Sequence, residues 1–370
     1  MNSPAPRAIA DAALSEQEQR YVESVERTLL DHTTRQRLML TEVSLDALPL
    51  IDAIEDLCRG GKRLRALFAY WGWRCAGGDP EAPAIVRAGA AIELFQAAAL
   101  IHDDIIDHSD TRRGRPSVHR RFQSVHEAEG WRHDARGFGE MAGIIAGDLC
   151  LSFSEAVFAS IGTEQSASGR ARRIFDTMRT EVMAGQYLDG LSEAIGGEDP
   201  TTALERASTV IRFKSAKYSC EHPLAIGAAL AGAAEPLLRQ LRGFGLPLGE
   251  AFQLRDDVLG VFGEPELTGK PAGDDLREGK RTVLTALTEQ RGGPEEAALL
   301  DEALGDPALD DAGIERVREA IRATGALTEV ERIIDTTERQ VRAALQRIET
   351  DAESRRALEV MASRALRRAS

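Results

Sequence analysis

The 370-residue sequence has few aromatic residues, only four cysteines and no clear stretch in which polar and apolar residues alternate. Without such alternation, β-strands are not expected. Aromatic residues make up 5% of the chain, against 43% for hydrophobic residues as a whole, and the abundance of alanine and leucine favours packed helices. The cysteines form no CxxC pair, which indicates free thiols in a reducing compartment.

Acidic residues outnumber basic residues, 60 against 46. The formal net charge is −14, which argues against a general nucleic-acid binder. A membrane span is not predicted, because the apolar run 84–101 is interrupted by Arg87, Glu93 and Gln96. The first residues lack the charged start and the apolar segment of a signal peptide. We therefore expect a cytoplasmic protein with no transmembrane segment.

Helix signals predict one all-α domain over residues 15–370, preceded by a disordered segment at 1–14. Ser15 and Glu18 have the spacing of a capping box, which begins the first helix. Further helices are expected at 140–162, 167–190, 201–219, 224–233 and 236–261. Loops are expected at 123–139 (over the site), at 263–279, and at turns near Gly292, Asp306 and Gly325.

The segment Leu100–His119 carries the first acidic motif, directly after a long apolar run. If that run is helical, Asp103 and Asp107 stand at i and i+4 and share one face, with Asp104 beside them. Crowded carboxylates at the end of a buried helix repel one another, and cations between them would relieve the repulsion. Oxygen ligands suit a hard ion such as Mg²⁺, which commonly binds one or two carboxylates together with substrate phosphates.

Arginines follow this motif at Arg112, Arg113 and Arg115. The guanidinium group matches the oxygens of a diphosphate, so the combined segment predicts a site for metal ions and a diphosphate. For the short motif by itself, a solvated acidic helix end followed by a basic loop is an equal alternative.

A second acidic pair, Asp256 and Asp257, lies within an otherwise apolar helix. Alone, such a pair is more often structural than functional. Two acidic pairs on separate core helices of a bundle can instead face one cavity and hold several metal ions against a shared polyanion. Basic residues suited to phosphate occur at several places, each of which taken singly is better explained as a solvated patch: Lys62, Arg63 and Arg65, Lys214 and Lys217, and Lys270, Lys280 and Arg281.

Together these motifs carry a family resemblance. GGKRLR (60–65), DDIID with RRGRP (103–116), Lys214-Ser215, FQLRDD (252–257) and the segment 269–281 resemble the trans-isoprenyl diphosphate synthases, in that family's order. The sequence TGKPAGDDLREGKRT is most similar to the actinobacterial geranylgeranyl or polyprenyl diphosphate synthases. The resemblance covers roughly residues 50–285.

The resemblance implies a helical bundle of the isoprenoid synthase type with a central active-site cavity. It implies an enzyme that joins isopentenyl diphosphate to an allylic diphosphate with the help of three Mg²⁺ ions, and it implies a homodimer. The implied roles are as follows: Asp103, Asp104, Asp107, Asp256 and Asp257 for metal; Lys62, Arg65, Gln96 and Arg113 for isopentenyl diphosphate; Arg112, Lys270 and Lys280 for the allylic diphosphate; and Lys214, Ser215 and Gln253 for catalysis.

Three positions depart from the pattern of the family. Gln96 stands where a histidine is frequent, which would keep a hydrogen-bond donor and remove a charge. Ala66 stands where proline is usual, and we expect only a local change of the backbone. Gly260 replaces the third aspartate of the second acidic motif, although Asp256 itself is present.

Side chains on the helix that precedes Asp103 are expected to limit the length of the product. In farnesyl-length relatives an aromatic side chain four or five residues before the motif closes the tunnel, but here Ala98 and Ala99 occupy those positions. Phe95 lies about 12 Å deeper than the motif at 1.5 Å per residue and is predicted to be the floor. The expected product is therefore C20, with C25 or longer, or C15, as alternatives if another helix sets the limit.

Other classes of protein are less well supported. A terpene cyclase shares the fold and the first motif, but it needs neither GGKRLR nor a second acidic pair. A silent subunit of a hetero-oligomeric synthase would be expected to lose one acidic motif, and both are present. A di-iron bundle needs Glu-x-x-His pairs, and the sequence has none.

Overall fold

A computed structural model describes residues 14–162, 166–195, 199–263 and 273–366, and it is nearly all helical over those ranges. The segments 1–13 and 264–272, which contain most of the predicted disordered start and Lys270, lie outside the described residues. The α-helices are α1 (Glu16–Val43), α2 (Leu48–Cys58), α3 (Leu64–Cys75), α4 (Pro83–Ile106), α5 (Val118–Ala128), α6 (Ala135–Ala159), α7 (Ser166–Ile195), α8 (Pro200–Val210), α9 (His222–Leu230), α10 (Glu235–Phe262), α11 (Asp274–Arg277), α12 (Val283–Arg291), α13 (Pro294–Ala303), α14 (Asp311–Ala323), α15 (Ala326–Arg347) and α16 (Ala352–Leu366).

A 3₁₀ turn, a π-helix and a pair of strands complete the secondary structure of the described ranges. A 3₁₀ turn covers Leu45–Ala47, and a π-helix covers Ile211–Glu221 between α8 and α9. Strands β1 (Thr111–Arg112) and β2 (Arg115–Pro116) form a small antiparallel hairpin. The predicted all-α class is confirmed.

Local signals place several helix ends correctly. The Ser15 side chain accepts from the Glu18 amide, and the Ser15 amide donates to Glu18 at 2.8 Å, which is the predicted capping box. The predicted loop at 123–139 is wrong, because α5 runs to Ala128 and α6 begins at Ala135. Asp134 caps α6 by accepting from the amide of Gly137 at 2.8 Å. That cap lies in a stretch whose polarity had suggested a loop.

The described residues form two compact units, an N-terminal unit (residues 14–172 with 226–233) and a C-terminal unit (173–225 with 234–366). The expectation of one domain over residues 15–370 remains a prediction.

Helix α4 lies at the centre of the N-terminal unit, where it contacts α1, α3 and α6. Close approach is possible because small residues lie at the crossings. A side chain at Gly89 would overlap the Tyr21 hydroxyl, and Ser154 of α6 donates to the Ala91 carbonyl at 2.6 Å. The packing fixes α4, and therefore fixes the acidic motif at its end.

Two helices, α4 and α6, are long and apolar enough to cross a membrane by length and composition. In α4, 67% of the apolar window is buried within the protein, and in α6 the share is 50%. Core helices of soluble proteins pass the same test, so this feature is weak evidence for a membrane span.

The C-terminal unit is built on α10, which packs against the π-helix and α15. A side chain at Gly249 of α10 would come within 2.5 Å of the Ala216 Cα, so the two helices meet backbone to backbone. Apolar residues of α12, α14 and α15, among them Val317 and Ile334, form the core beside α10. Turns fall near Gly292, Asp306 and Gly325, as predicted.

Candidate active site

The first acidic motif lies at the C-terminal end of α4 in the N-terminal unit. The helix ends at Ile106, and Asp107 is the capping residue, its amide donating to the Asp103 carbonyl at 2.8 Å. Asp103 and Asp107 are therefore one turn apart, as predicted, and both are half-buried. Two carboxylates on one face at the end of a helix are a suitable pair of ligands for a hard cation.

Asp104 is placed differently from its two neighbours. It is only 1% exposed, and the Arg112 guanidinium binds it, with Nε donating to Oδ1 at 2.8 Å and Nη2 donating to the same oxygen. Burial acts to lower the pKa of Arg112, but the bond to Asp104 and the charges of Asp103 and Asp107 outweigh it and raise that pKa. Asp104 thus holds a charged arginine beside the motif.

The β1–β2 hairpin brings the second arginine to the glycine-rich segment before α3. Arg113 has φ of 55°, a left-handed conformation, and its Nη1 donates to the Leu57 carbonyl at 3.3 Å. A Cβ atom at Gly61 would lie 3.0 Å from Nη2 of Arg113. Two of the predicted parts of the isopentenyl diphosphate site, GGKR and RRGR, therefore meet within this unit.

The adjacent residues Lys62 and Arg63 have different surroundings. Arg63, at φ of 49°, turns inward and is 6% exposed. It donates to the buried Glu93 at 3.3 Å and to the Cys58 carbonyl. Lys62 is exposed and Arg65 half-buried, whereas the buried Arg63 fixes the segment.

Glu93 was not identified from the sequence as a site residue, although it is the carboxylate that interrupts the apolar run. Besides Arg63 it accepts from the Ala66 amide at 3.3 Å. Proline has no amide hydrogen, so the departure to Ala66 provides the donor that this buried carboxylate uses.

The positions proposed to set product length lie on two faces of α4. Ala98 is four residues before His102 and seven before Ile105, whose side chains lie against Gly147 and Gly143 of α6. Ala98 therefore faces α6, and it is 0% exposed. Ala99 and Gln96 are half-buried on the face of Asp103. Phe95, 2% exposed, lies between the two faces.

The second acidic motif lies on α10 in the C-terminal unit. Asp256 is half-buried, while Asp257 is 7% exposed and accepts from Gln253 Nε2 at 2.8 Å. Burial raises the pKa of Asp257 to about 7, helped by the charges of Asp275 and Asp256 and opposed by the Gln253 hydrogen bond. Asp256 is thus the more accessible carboxylate of the pair.

Lys214 and Ser215 lie on the π-helix, where the sequence had predicted an α-helix. Lys214 Nζ donates to Asp189 Oδ2 of α7 at 2.5 Å, and a Cβ atom at Gly185 would lie 2.6 Å from the Lys214 amide nitrogen. Asp189 was missed by sequence analysis, because no local spacing links it to a lysine 25 residues later.

Glu181 of α7 also binds two donors from this part of the chain. It accepts from Lys217 Nζ of the π-helix at 2.7 Å and from Nε2 of His222, the first residue of α9, at 2.7 Å. Burial acts to raise the pKa of Glu181, but these two hydrogen bonds outweigh it and lower that pKa. Burial lowers the pKa of His222 despite the bond to Glu181. The neutral form of His222 fits this contact, because its Nδ1 is buried without a hydrogen-bond partner among the described residues.

The remaining predicted cations of this unit lie after α11. Lys280 Nζ is 2.5 Å from Glu278 Oε2 and 3.5 Å from Asp275 Oδ1. Arg281 binds Glu289 at 3.2 Å and Asp301 at 2.9 Å, which gives it a structural role.

The donor set fits Mg²⁺ in its chemistry. Each acidic motif offers carboxylate oxygens, the ligands that this ion prefers. Within the described ranges, no three His, Cys, Asp or Glu side chains are grouped so as to enclose an ion. An ion that takes only one or two protein carboxylates, and its other ligands from diphosphate and water, needs no such cage.

Known proteins of one family resemble this chain over most of its length. A profile of the polyprenyl synthetase family matches residues 49–322. The chain is 32% identical to the geranylfarnesyl diphosphate synthase of Aeropyrum pernix over 340 residues, 90% of this chain and 97% of that protein. It is 33% identical to the geranylgeranyl diphosphate synthase of Saccharolobus solfataricus over 266 residues, 71% of this chain and 73% of that protein.

A similar solved structure is the geranylgeranyl pyrophosphate synthase of Corynebacterium glutamicum, complexed with isoprenyl diphosphate and magnesium. Its TM-score is 0.88 at 39% sequence identity, and the match covers 94% of this chain and 99% of that one. Family profile, sequence relatives and fold agree over most of the length. The chain therefore belongs to the polyprenyl synthetase family and is a trans-prenyltransferase with the all-α isoprenoid synthase fold.

Proposed function

We propose that the protein is a Mg²⁺-dependent synthase that joins isopentenyl diphosphate head-to-tail to an allylic diphosphate, with C20 geranylgeranyl diphosphate as its main product. The observation that carries this proposal is the end of α4. There Asp103 and Asp107 lie one turn apart, beside an Arg112 that Asp104 holds in place.

Asp103, Asp107 and Asp256 are the residues proposed to hold three Mg²⁺ ions together with the allylic diphosphate. Bound there, the ions would supply positive charge to the leaving diphosphate. Arg112, Lys214 and Lys280 add fixed positive charge, and Lys270 is assigned the same role from the sequence. Preset charges of this kind are usually the largest contribution to catalysis.

The proposed chemical step begins when the C–O bond of the allylic diphosphate breaks and leaves an allylic carbocation. The electron pair of that bond departs with the diphosphate. The double bond of isopentenyl diphosphate attacks the cation, and a proton is then lost to the departing pyrophosphate. The oxygen dipoles of Ser215 and Gln253 stabilise the cation. Asp189 holds the ammonium group of Lys214 in a fixed orientation.

Isopentenyl diphosphate is proposed to bind at Lys62, Arg65 and Arg113, with Gln96 as a neutral donor. Support comes from the closeness of Arg113 to Gly61, where a Cβ atom would lie 3.0 Å from Nη2. Arg113 and Lys62, the residue after Gly61, are both exposed. A glycine backbone and paired cations are well suited to a phosphate group.

The proposal of C20 rests on the face of α4 that carries Asp103. Ala99 and Gln96 leave the first turns free of aromatic side chains, and Phe95 is the proposed floor. The names of the relatives range from C15 to C45 products, so the proposed length rests on α4 and not on the relatives. Phe95→Leu should lengthen the product while largely keeping the core packed, and an unchanged product would reject Phe95 as the floor.

We further propose a cytoplasmic homodimer. The four cysteines are free and buried, as suits a reducing compartment. Helix α6 exposes Met141, Ile144 and Ile145 on one face, and such an apolar stripe suits an interface with a second copy. Light scattering on the purified protein should give twice the chain mass.

The test of the proposed function is product analysis. Purified protein is incubated with Mg²⁺, isopentenyl diphosphate and a C5, C10 or C15 allylic diphosphate in turn. A single C20 diphosphate is expected. A ladder beyond C20 keeps the reaction and rejects the proposed length. Cyclic hydrocarbon from the allylic substrate alone would show a cyclase, and no turnover with any substrate would indicate a silent subunit.

A further inference from the structure

We infer that Glu181 of α7 is a positioning residue for Lys214, on which it acts through Lys217 and the π-helix that carries both lysines. The inference rests on the proposed function, because Lys214 is one of the residues proposed to add positive charge at the allylic diphosphate. It gives a part in that reaction to a carboxylate that does not itself touch the substrate.

One face of α7 meets the π-helix. Glu181, Gly185 and Asp189 are spaced by four residues and therefore share this face, over about 12 Å from first to last. A Cβ atom at Gly185 would lie 2.6 Å from the Lys214 amide nitrogen and 3.0 Å from the Lys214 Cα. The two backbones therefore meet in the middle of the face, with one carboxylate on either side of the contact.

The two lysines of the π-helix reach these carboxylates in opposite directions along α7. Lys214 Nζ donates to Asp189 at 2.5 Å, and Lys217 Nζ donates to Glu181 at 2.7 Å. A shift of the π-helix along α7 would lengthen one of the two ion pairs, whichever way the helix moved. The two pairs together thus fix the position of the π-helix along α7, which a single pair would not do.

Helix α10 packs against the π-helix through close backbone contacts. Cβ atoms built on Gly245 and Gly249, one turn apart, would lie 2.9 Å from the Glu221 Cα and 2.5 Å from the Ala216 Cα. Glycines let two helices come close together, but they have no side chain to oppose sliding or rotation. The charged pairs on α7 therefore supply the resistance to such movement.

Loss of the Glu181 charge is expected to redirect Lys217. The side chains of Glu181 and Lys217 are 23% and 18% exposed, so this ion pair is largely shielded from water. Glu221 lies four residues after Lys217 on the π-helix; burial raises the pKa of Glu221, and the charge of Lys217 acts against that rise. Without Glu181, Lys217 would turn to Glu221. A pair within one helix does not hold that helix against α7, so Lys214 would lose its orientation.

A purely structural role of Glu181 would have a different signature. It predicts a lower melting temperature, with a turnover of folded protein that is unchanged, or that falls equally whichever residue occupies position 214. A positioning role predicts a loss of turnover that requires Lys214, because a misplaced lysine matters only where that lysine contributes. A double-mutant cycle therefore separates the two roles.

The experiment compares wild type, Glu181→Gln, Lys214→Ala and the double variant, with Lys217→Met as a second way to break the same ion pair. The measured quantities are kcat, KM for each substrate, and the dissociation constant of inorganic pyrophosphate in the presence of Mg²⁺. Glu329→Gln is the matched control, because Glu329 of α15 is 20% exposed and likewise binds two basic side chains. Thermal unfolding establishes that each variant is folded, and Lys217→Met, also combined with Lys214→Ala, decides if Glu181→Gln is not.

We expect Glu181→Gln to lower kcat by about 10-fold, to raise the dissociation constant of pyrophosphate, and to leave KM for isopentenyl diphosphate unchanged. Lys214→Ala should lower kcat by about 10²-fold. Adding Glu181→Gln to Lys214→Ala should lower kcat further by less than about 2-fold. Lys217→Met should behave as Glu181→Gln does, and Glu329→Gln should match wild type.

An unchanged kcat in Glu181→Gln, or a loss of the same size with and without Lys214, would overturn the inference and leave the proposed function standing. If wild type neither turns over substrate nor binds pyrophosphate with Mg²⁺, the proposed function fails and the inference fails with it.

Discussion

The two acidic motifs differ in how far along the chain their supports come from. In the first, Arg112 binds Asp104 from eight residues away, on the first strand of the hairpin that follows α4. In the second, Arg255 binds Glu331 in two places, 76 residues away. The first motif is therefore local, whereas the second depends on the packing of the C-terminal helices.

The two motifs are therefore vulnerable to different substitutions. A local motif is lost mainly through its own residues or through the helix that carries them. A motif supported from a distance can also be lost through a side chain that never meets a ligand.

The largest effect is expected from Asp103→Ala, which breaks the local motif directly. Removing a carboxylate that holds the charge-stabilising ions should reduce turnover by about 10³-fold, with the melting temperature little changed. Steady-state kinetics at saturating Mg²⁺ measures the loss. Asp110→Asn, an exposed neighbour that binds Arg120, is the control. A fully active Asp103→Ala would remove the basis of the proposed function.

The next effect is expected at the buried ion pair of Arg63 and Glu93. Glu93→Gln leaves the inward-facing Arg63 without its buried carboxylate, and breaking such a pair costs about 3–5 kcal/mol. Lys62→Ala, one residue from Arg63, should leave stability unchanged and raise KM for isopentenyl diphosphate. Urea unfolding and substrate titration of both variants give the comparison. Equal stability losses in the two would contradict the division of roles.

A smaller effect separates the two alanines before the motif. Ala98→Phe places a ring against α6 and should cost about 1–3 kcal/mol by overpacking. Ala99→Phe extends along the face of Asp103 and should shorten the product instead. Thermal unfolding and product chain length are measured for each. A shortened product from a stable Ala98→Phe variant would reverse the assignment of the faces.

The smallest effect is a pH dependence in the C-terminal unit. The pKa of His222 is lowered in the folded protein by burial, so the unfolded chain binds the proton more readily. Stability from this group is present above the ordinary histidine pKa of about 6.5 and is lost as the pH falls below it. The pKa of Glu181 is also lowered, and its contribution is lost at more acidic pH.

The matched variant is His222→Gln, which keeps an N–H donor for Glu181 but does not titrate. Its free energy of unfolding should fall less than that of wild type between pH 7 and pH 5. Since His32 and His119 also have a lowered pKa, the free energy of unfolding of the variant should still fall somewhat as the pH is lowered. An identical pH dependence of the free energy of unfolding in the two proteins would show that His222 does not contribute to it.

The parts that could be predicted from sequence are those with local causes. The capping box at Ser15, the one-turn spacing of Asp103 and Asp107, and the turns at glycine positions all follow from rules that act within a few residues. The all-α class follows from the same rules, because helical signals recur along the whole described length and strand signals do not.

The parts that could not be predicted depend on tertiary contacts. The partners Glu93, Asp189 and Glu181 are ordinary acidic residues until packing brings them to an arginine or a lysine. The polar composition of 123–139 favoured a loop, but α5 and α6 form there because α6 packs closely on α4.

The π-helix at Ile211–Glu221 has a consequence for insertions and deletions. Its hydrogen bonds run from i to i+5, so each of its turns holds more residues than a turn of α-helix. Deleting one residue between Lys214 and Lys217 would shorten the spacing of these two lysines by one position, which is about 100° around a helix axis. Lys214 and Lys217 would then no longer keep both Asp189 and Glu181 as partners. Changes in chain length should be tolerated in the loops of this protein and excluded from these eleven residues.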